Sequence, residues 1–320
     1  MRVGLVVSLA LLSGCGYVGP IQPPALAIPQ RVSDLRGAQF GSKVVVEFTV
    51  PAITTEGLPL TTLRSVELLA GPVPNPYSPA VYIVGAKRYP VPATAPGPVK
   101  REIPITDWIG KDVTLMVRAT GPKGKTSDLS NPVTLGIRAP LVTPGDLKAE
   151  DTPPGIAITW KGVPGEHFHV YRAAGTEGPA LLDSVDDTHY LDTMVEFGSS
   201  YRYFVNGYDG PTQFSDMAEA APVERADIFP PSVPAGLTAE SGPNTIELSW
   251  ERNTEPRFQG YNVYRATGEG PFEKIAGPFV APSYSDRMVE SGKRYRYQVT
   301  AVGVNGLESA RSGVAEATAQ

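Results

Sequence analysis

The sequence predicts an all-β chain built as three antiparallel β-sandwiches in tandem. Three observations carry this. Glycine and proline number 33 each in 320 residues, alongside many valines, threonines and tyrosines, a composition of short strands joined by turns. Apolar and polar residues alternate over short segments, the period of a strand with one buried face. Four blocks of the second half recur in the same order, the mark of a repeated module. The length allows two or three domains at about 100–200 residues each. With one cysteine in the chain, no disulfide can staple these domains, so each must hold itself by hydrophobic burial.

In chain order, the first element is a leader. Met1-Arg2 precedes an apolar run from Val3 to Leu12, then Ser13-Gly14-Cys15, the layout of a secretory signal. The run is about half of the ~20 residues a membrane-spanning helix needs. The Leu12-Ser13-Gly14-Cys15 box resembles the signal of bacterial lipoproteins. That resemblance implies cleavage of residues 1–14 and lipidation at Cys15, which would anchor the protein to the bacterial cell membrane. Gly16, rather than Asp, after the cysteine implies the outer membrane where the cell has one. Residues 15–29 read as a lipidated tether. Ile21 to Pro29 contains three prolines and no periodicity, which favours extended geometry at ~3.1 Å per residue.

Residues 30–139 read as a divergent first copy of the module. Val44 to Phe48 is its strand of alternating burial, and Gly110 to Ala119 aligns with Gly292 to Ala301. The proline-rich stretch from Gly85 to Lys100 has no counterpart in the later copies. Two segments, Val73 to Tyr77 and Arg88 to Pro92, place tyrosines among prolines. They read as exposed loops of the kind that carry function on a rigid scaffold.

Residues 140–226 and 227–320 are the two clear copies. Ile156-Ala157-Ile158-Thr159-Trp160 matches Ile246-Glu247-Leu248-Ser249-Trp250, and Phe168 to Arg172 matches Tyr261 to Arg265. His189 to Asp192 matches Ser283 to Asp286, and Gly198 to Val205 matches Gly292 to Val299. Alternation turns Ile156, Ile158, Trp160, Phe168, Val170, Tyr201, Tyr203 and Val205 inward, with their counterparts. Turn residues such as Gly175, Gly268 and Asn305-Gly306 separate the rows.

Both copies resemble fibronectin type III domains. The residues that carry the resemblance are Pro231 to Leu237 at the entry, Trp160 and Trp250 on an early strand, and Tyr261 to Arg265 on the next. Tyr201 and Tyr295 stand at the position of the family's tyrosine corner, where a hydroxyl ties back to the backbone. In the first copy Phe48 stands for the tryptophan and Val113 for the corner tyrosine. The resemblance implies three immunoglobulin-like sandwiches and a non-catalytic role.

Charge and motifs narrow the function. A net charge of −5 opposes nucleic-acid binding, which needs a basic face. No nucleophile elbow, phosphate loop or dinucleotide fingerprint occurs, and no pair of carboxylates is placed for acid–base work. No cofactor is expected. His167 and His169 share the outward face of one strand, but no third metal ligand is evident, so they read as ordinary exposed residues. With Tyr171, and with Arg202 and Phe204 on the neighbouring strand, they form the candidate binding face. Such an exposed cluster either docks a protein partner or an envelope glycan, or is cross-strand pairing that stabilises the sheet. Tyr264 and Arg296 form a poorer patch on the last copy. The function expected is a non-catalytic envelope lipoprotein that scaffolds or binds proteins, or alternatively an accessory protein that binds carbohydrate.

Overall fold

The computed structural model describes residues 25–162 and 166–320. The expected leader, Cys15 and residues 15–24 of the tether lie outside the described residues. The chain divides into two compact units, Met1–Ala139 and Pro140–Gln320.

The first unit contains β1 (Arg36–Phe40), β2 (Lys43–Val50), β3 (Ser65–Gly71), helix α1 (Pro79–Gly85), β4 (Lys87–Val91), β5 (Gly97–Pro104), β6 (Asp112–Thr120) and β7 (Val133–Gly136). Strands β1-β2-β5 form one face and β4-β3-β6-β7 the other, all antiparallel. Between them, Val46, Phe48, Leu68, Ile103, Leu115 and Val117 form a closed apolar core. Phe48 and Val113 are both buried, as expected of residues replacing the tryptophan and the corner tyrosine.

Three expectations for this unit need correction. The stretch 85–100 is not without counterpart, because it supplies β4 and the start of β5, which complete the two sheets. Tyr89 is not an exposed loop residue. It lies in β4 and packs in the core, whereas Tyr77 is exposed. Residues 26–29 are not free tether. The Leu26 N–H donates to Glu56 Oε1 (2.9 Å), and the Thr55 N–H donates to the Ile28 carbonyl (2.9 Å).

The second unit opens with β8 (Gly145–Thr152), β9 (Gly155–Lys161), β10 (His167–Ala174), β11 (Ala180–Val185), β12 (His189–Asp192) and β13 (Ser200–Asp209). Three short pieces follow: β14 (Gln213–Phe214), β15 (Ala218–Glu219) and β16 (Val223–Glu224). Strands β8-β9-β12 oppose β11-β10-β13, and the three short pieces pair along β13. The next sandwich has β17 (Thr238–Gly242), β18 (Thr245–Ser249), β19 (Phe258–Thr267), β20 (Glu273–Phe279), β21 (Ser283–Asp286), β22 (Arg294–Gly303) and β23 (Ala315–Thr318). It repeats the order as β17-β18-β21 against β20-β19-β22-β23.

The inward rows read from alternation form these two cores. Ile156, Ile158, Trp160, Phe168, Val170, Tyr203 and Val205 are buried together, and so are Ile246, Leu248, Trp250, Tyr261, Val263, Tyr297 and Val299. Trp160 meets Phe168 edge-on at 5.5 Å between ring centroids, and Trp250 meets Tyr261 at 5.1 Å, geometry that suits the aromatic quadrupole. Each corner tyrosine closes its loop: the Glu196 N–H donates to Tyr201 Oη and the Glu290 N–H to Tyr295 Oη, both at 3.0 Å.

A second repeated device was not legible. In each copy a buried carboxylate ends the strand that precedes the corner. Arg172 donates to Asp192 Oδ2 (2.8 Å) and to the Met194 carbonyl (2.7 Å), while the Tyr203 hydroxyl donates to the same Oδ2 (2.8 Å). Arg265, Asp286, Met288 and Tyr297 reproduce the arrangement, with the Tyr297 hydroxyl 2.8 Å from Asp286 Oδ2. The guanidinium lies 5.3 Å from the corner tyrosine ring in both. A carboxylate this deep is tolerated because charge-assisted donors surround it.

The same network sets an alkaline limit. Burial, then the bond and charge of the neighbouring Asp, push the Tyr203 and Tyr297 hydroxyls well above the usual phenol range. An unfolded tyrosine titrates near pH ~10. Below that, both states hold the proton and these groups make stability independent of pH. Above it, the unfolded chain releases the proton first, so stability falls as pH rises. Denaturant melts between pH 8 and 11.5 should show this decline, and Tyr297→Phe should flatten it in the last sandwich. An equal decline in that variant would remove Tyr297 as the cause.

Candidate functional site

The candidate face of the first sandwich in the second unit lies on β10 and β13. Phe168 and Val170 turn inward, which leaves His167, His169 and Tyr171 on the opposite side. Register pairs His169 with Asn206, Tyr171 with Phe204 and Ala173 with Arg202. His169 stacks on Tyr208 at 4.0 Å with 22° between planes, and the Tyr171 hydroxyl is 3.3 Å from His169 Nδ1. His167 Nδ1 lies 2.5 Å from Asp186 Oδ1. Burial holds His169 below the usual imidazole range, so near neutral pH it offers an uncharged ring.

Two features of this face differ from expectation. Phe204 is 7% exposed, so it is no open stacking platform; Arg202 lies over its ring at 5.6 Å and reaches Glu219 at 3.5 Å. Tyr208, which sequence reasoning omitted, is the ring that joins the two histidines. Its position, four residues beyond Phe204 on the same face, was the available signal. Among the described residues, no three His, Cys, Asp or Glu side chains converge as metal ligands.

The patch on the last sandwich is more developed than its sequence implied. Arg311 lies 4.4 Å over the Tyr264 ring, whose hydroxyl donates to Glu308 (2.7 Å), and Arg296 lies 5.3 Å from the Phe272 ring. These contacts pair the groups with one another.

Within the second unit, the two sandwiches meet at a cleft of about 340 Å³. It is built by the segment 225–232, which is held from both sides. Arg225 is buried, ion-paired with Asp151 and bonded to the Thr152 (2.6 Å) and Pro153 (2.9 Å) carbonyls. Across the joint Arg257 pairs with Asp227 (2.6 Å), and Asn305 donates to Asp227 Oδ1 (3.0 Å) and to the Phe229 carbonyl (3.1 Å). The Phe197 ring lies 4.4 Å from the Arg225 guanidinium and 5.1 Å from that of Arg257. Glu255 Oε1 accepts from the Ser232 N–H (2.8 Å) and Asn253 (3.2 Å). Burial raises the Glu255 pKa, but these hydrogen bonds outweigh it and the carboxyl titrates below its ordinary value.

A three-stranded sheet facing a three- or four-stranded one, with a tyrosine hydroxyl closing the corner in two copies, decides the fold class. These are fibronectin type III-like sandwiches. No protein-family model matches the chain. It is similar to amylopullulanase of Thermoanaerobacterium saccharolyticum, 30% identical over 40% of this chain and 10% of that protein. Similar too are amylopullulanase of Thermoanaerobacter thermohydrosulfuricus (32%, covering 44% and 10%) and exoglucanase B of Cellulomonas fimi (28%, covering 47% and 14%). The chain therefore aligns with only a tenth to a seventh of the length of these relatives. Among solved structures, an Fn3-like protein from Clostridium thermocellum is 36% identical over 28% of this chain and 94% of its own (TM-score 0.25). The FN1–FN3 segment of chicken CNTN1 is 13% identical over 91% and 99% (TM-score 0.29). The chain thus shares sequence with small portions of longer proteins.

Proposed function

We propose that this chain is a non-catalytic module protein of the bacterial cell envelope. Lipid on Cys15 holds one end at the membrane, with the outer membrane favoured by Gly16 in a two-membrane cell. The sandwiches then serve as a scaffold or protein-interaction surface. The observation that carries the module reading is the short share of each relative that the chain matches, which is the behaviour of an accessory domain and not of a whole enzyme. The His167, His169 and Tyr171 face is its candidate contact surface.

Several acyl chains on one residue, at ~0.8 kcal/mol per buried CH₂, hold a protein to a bilayer essentially permanently. In a bacterial host the wild-type chain is expected in the membrane fraction, and Cys15→Ser in the soluble fraction. An unmodified thiol on an uncleaved chain, read by mass spectrometry, rejects the anchor.

A second reading is favoured by a specific observation. The relatives named above are called amylopullulanases and an exoglucanase, names of glucan-acting enzymes. On that ground the sandwiches serve as a carbohydrate-binding accessory, and a polysaccharide pull-down with the intact chain tests it.

A further inference from the structure

We propose that the cleft between the two sandwiches of the second unit binds a neutral, polyhydroxylated ligand, of the size of one or two sugar units. The proposal rests on the carbohydrate reading above and names its site. Four properties of the cleft point there.

The first is size: about 340 Å³ falls at the lower end of the ~300–1,000 Å³ typical of small-molecule sites. The second is the wall. Phe197 and Phe229 are partly exposed, and Pro153, Pro154, Pro230 and Pro256 line the cleft beside them. Flat apolar faces of this kind suit the C–H faces of a sugar ring.

The third is charge. Both arginines are already paired, Arg225 with Asp151 and Arg257 with Asp227, while Glu255 keeps its negative charge. An anion would meet neutralised cations and a free carboxylate, so phosphate and sulfate groups are disfavoured. Glu255 Oε2, Arg225 Nε and Arg257 Nε make no hydrogen bond within the protein. Buried polar atoms in that state call for a partner, and hydroxyl groups, which both donate and accept, can serve an acceptor and two donors alike once side chains adjust. A purely apolar ligand would leave them unpaired.

The fourth is preorganisation. Segment 225–232 is fixed to one sandwich through Asp151 and to the other through Arg257, Asn305 and Glu255. The backbone of the walls is therefore set before a ligand arrives and only side chains need adjust, which lowers the ordering cost of binding. The rings of the candidate face on β10, by contrast, are paired with one another.

The test is calorimetric titration of the full chain with maltohexaose and cellohexaose, combined with amide chemical-shift mapping. At least one oligomer should bind, with shifts centred on Phe197, Phe229 and Asn305. Phe229→Ala and Glu255→Gln should each weaken binding about tenfold, the loss of one good contact. Shift mapping on the unaltered chain keeps the test decisive if a variant misfolds. Binding that survives both cleft variants, or that Tyr171→Ala alone abolishes, overturns the cleft and leaves the carbohydrate reading standing. Binding of neither oligomer overturns both. Tighter binding of a sulfated hexasaccharide overturns the neutral class.

Discussion

Asp286→Ala is expected to cost the last sandwich about 3–5 kcal/mol, the range for removing one partner of a buried ion pair. The carboxylate is 1% exposed and takes hydrogen bonds from Arg265, the Tyr297 hydroxyl and the Met288 N–H (3.0 Å). Its loss strands a largely buried guanidinium and a fully buried phenol together. Domains are stable by only about 5–15 kcal/mol, so the substitution removes much of the margin. Tyr297→Phe deletes one bond to a charged acceptor and should cost about 1.5–3 kcal/mol. Hydrogen exchange across residues 246–319 of the full chain resolves this sandwich from the others. An Asp286→Ala chain that stays as protected as Tyr297→Phe would show that the network carries little stability. Asp192→Ala should act the same way in the preceding sandwich, because the geometry there is the same.

The second large effect belongs to the first unit. Tyr82 is 1% exposed and joins Leu69, Ala86 and Met116 in a small separate core on the outer face of β3 and β6. Its hydroxyl donates to the Thr114 carbonyl (2.7 Å) and lies 3.1 Å from that of Leu69. Helix α1 has seven residues, too few to persist without tertiary contacts. Ser78 caps its start by accepting from the Val81 N–H, and Pro79 sits in the first turn, as such positions favour. Tyr82→Ala should cost about 3–5 kcal/mol, as emptying a buried aromatic site does, and should release α1. Tyr82→Phe keeps the ring and should cost about 1 kcal/mol. Hydrogen exchange over residues 79–86 reads both. Unchanged protection in Tyr82→Ala would mean that α1 is held by something other than this side chain.

These two predictions also mark where sequence reasoning reached its limit. Alternation located the inward rows because a strand's side chains change sides at every residue, whatever lies beyond the sheet. The resemblance to fibronectin type III domains identified Tyr201 and Tyr295 as corner residues, and the bond each makes spans only five positions. Sequence reasoning misjudged Tyr89 because a tyrosine between prolines looks like loop, and only pairing with β3 shows that β4 is a strand. It misjudged Phe204 because an outward position is exposed only if nothing packs over it. Asp192 and Asp286 were visible as a repeated residue. Their burial was not, since it depends on an arginine 20 or 21 positions earlier in the chain.

By itself the sequence determined the all-β class, the repeated module, the residues that face each core and the corner tyrosines. The first three follow from short-range periodicity and from spacings that recur along the chain, and the corner tyrosines from the resemblance to fibronectin type III domains. Only the tertiary structure decided the buried Asp–Arg–Tyr networks, the Tyr82 plug beneath α1 and the cleft at residues 225–232. Each of these joins groups from strands or loops distant in the chain. No local pattern encodes such a meeting, because it is selected by how whole sheets pack and by which charges must find partners once water is excluded.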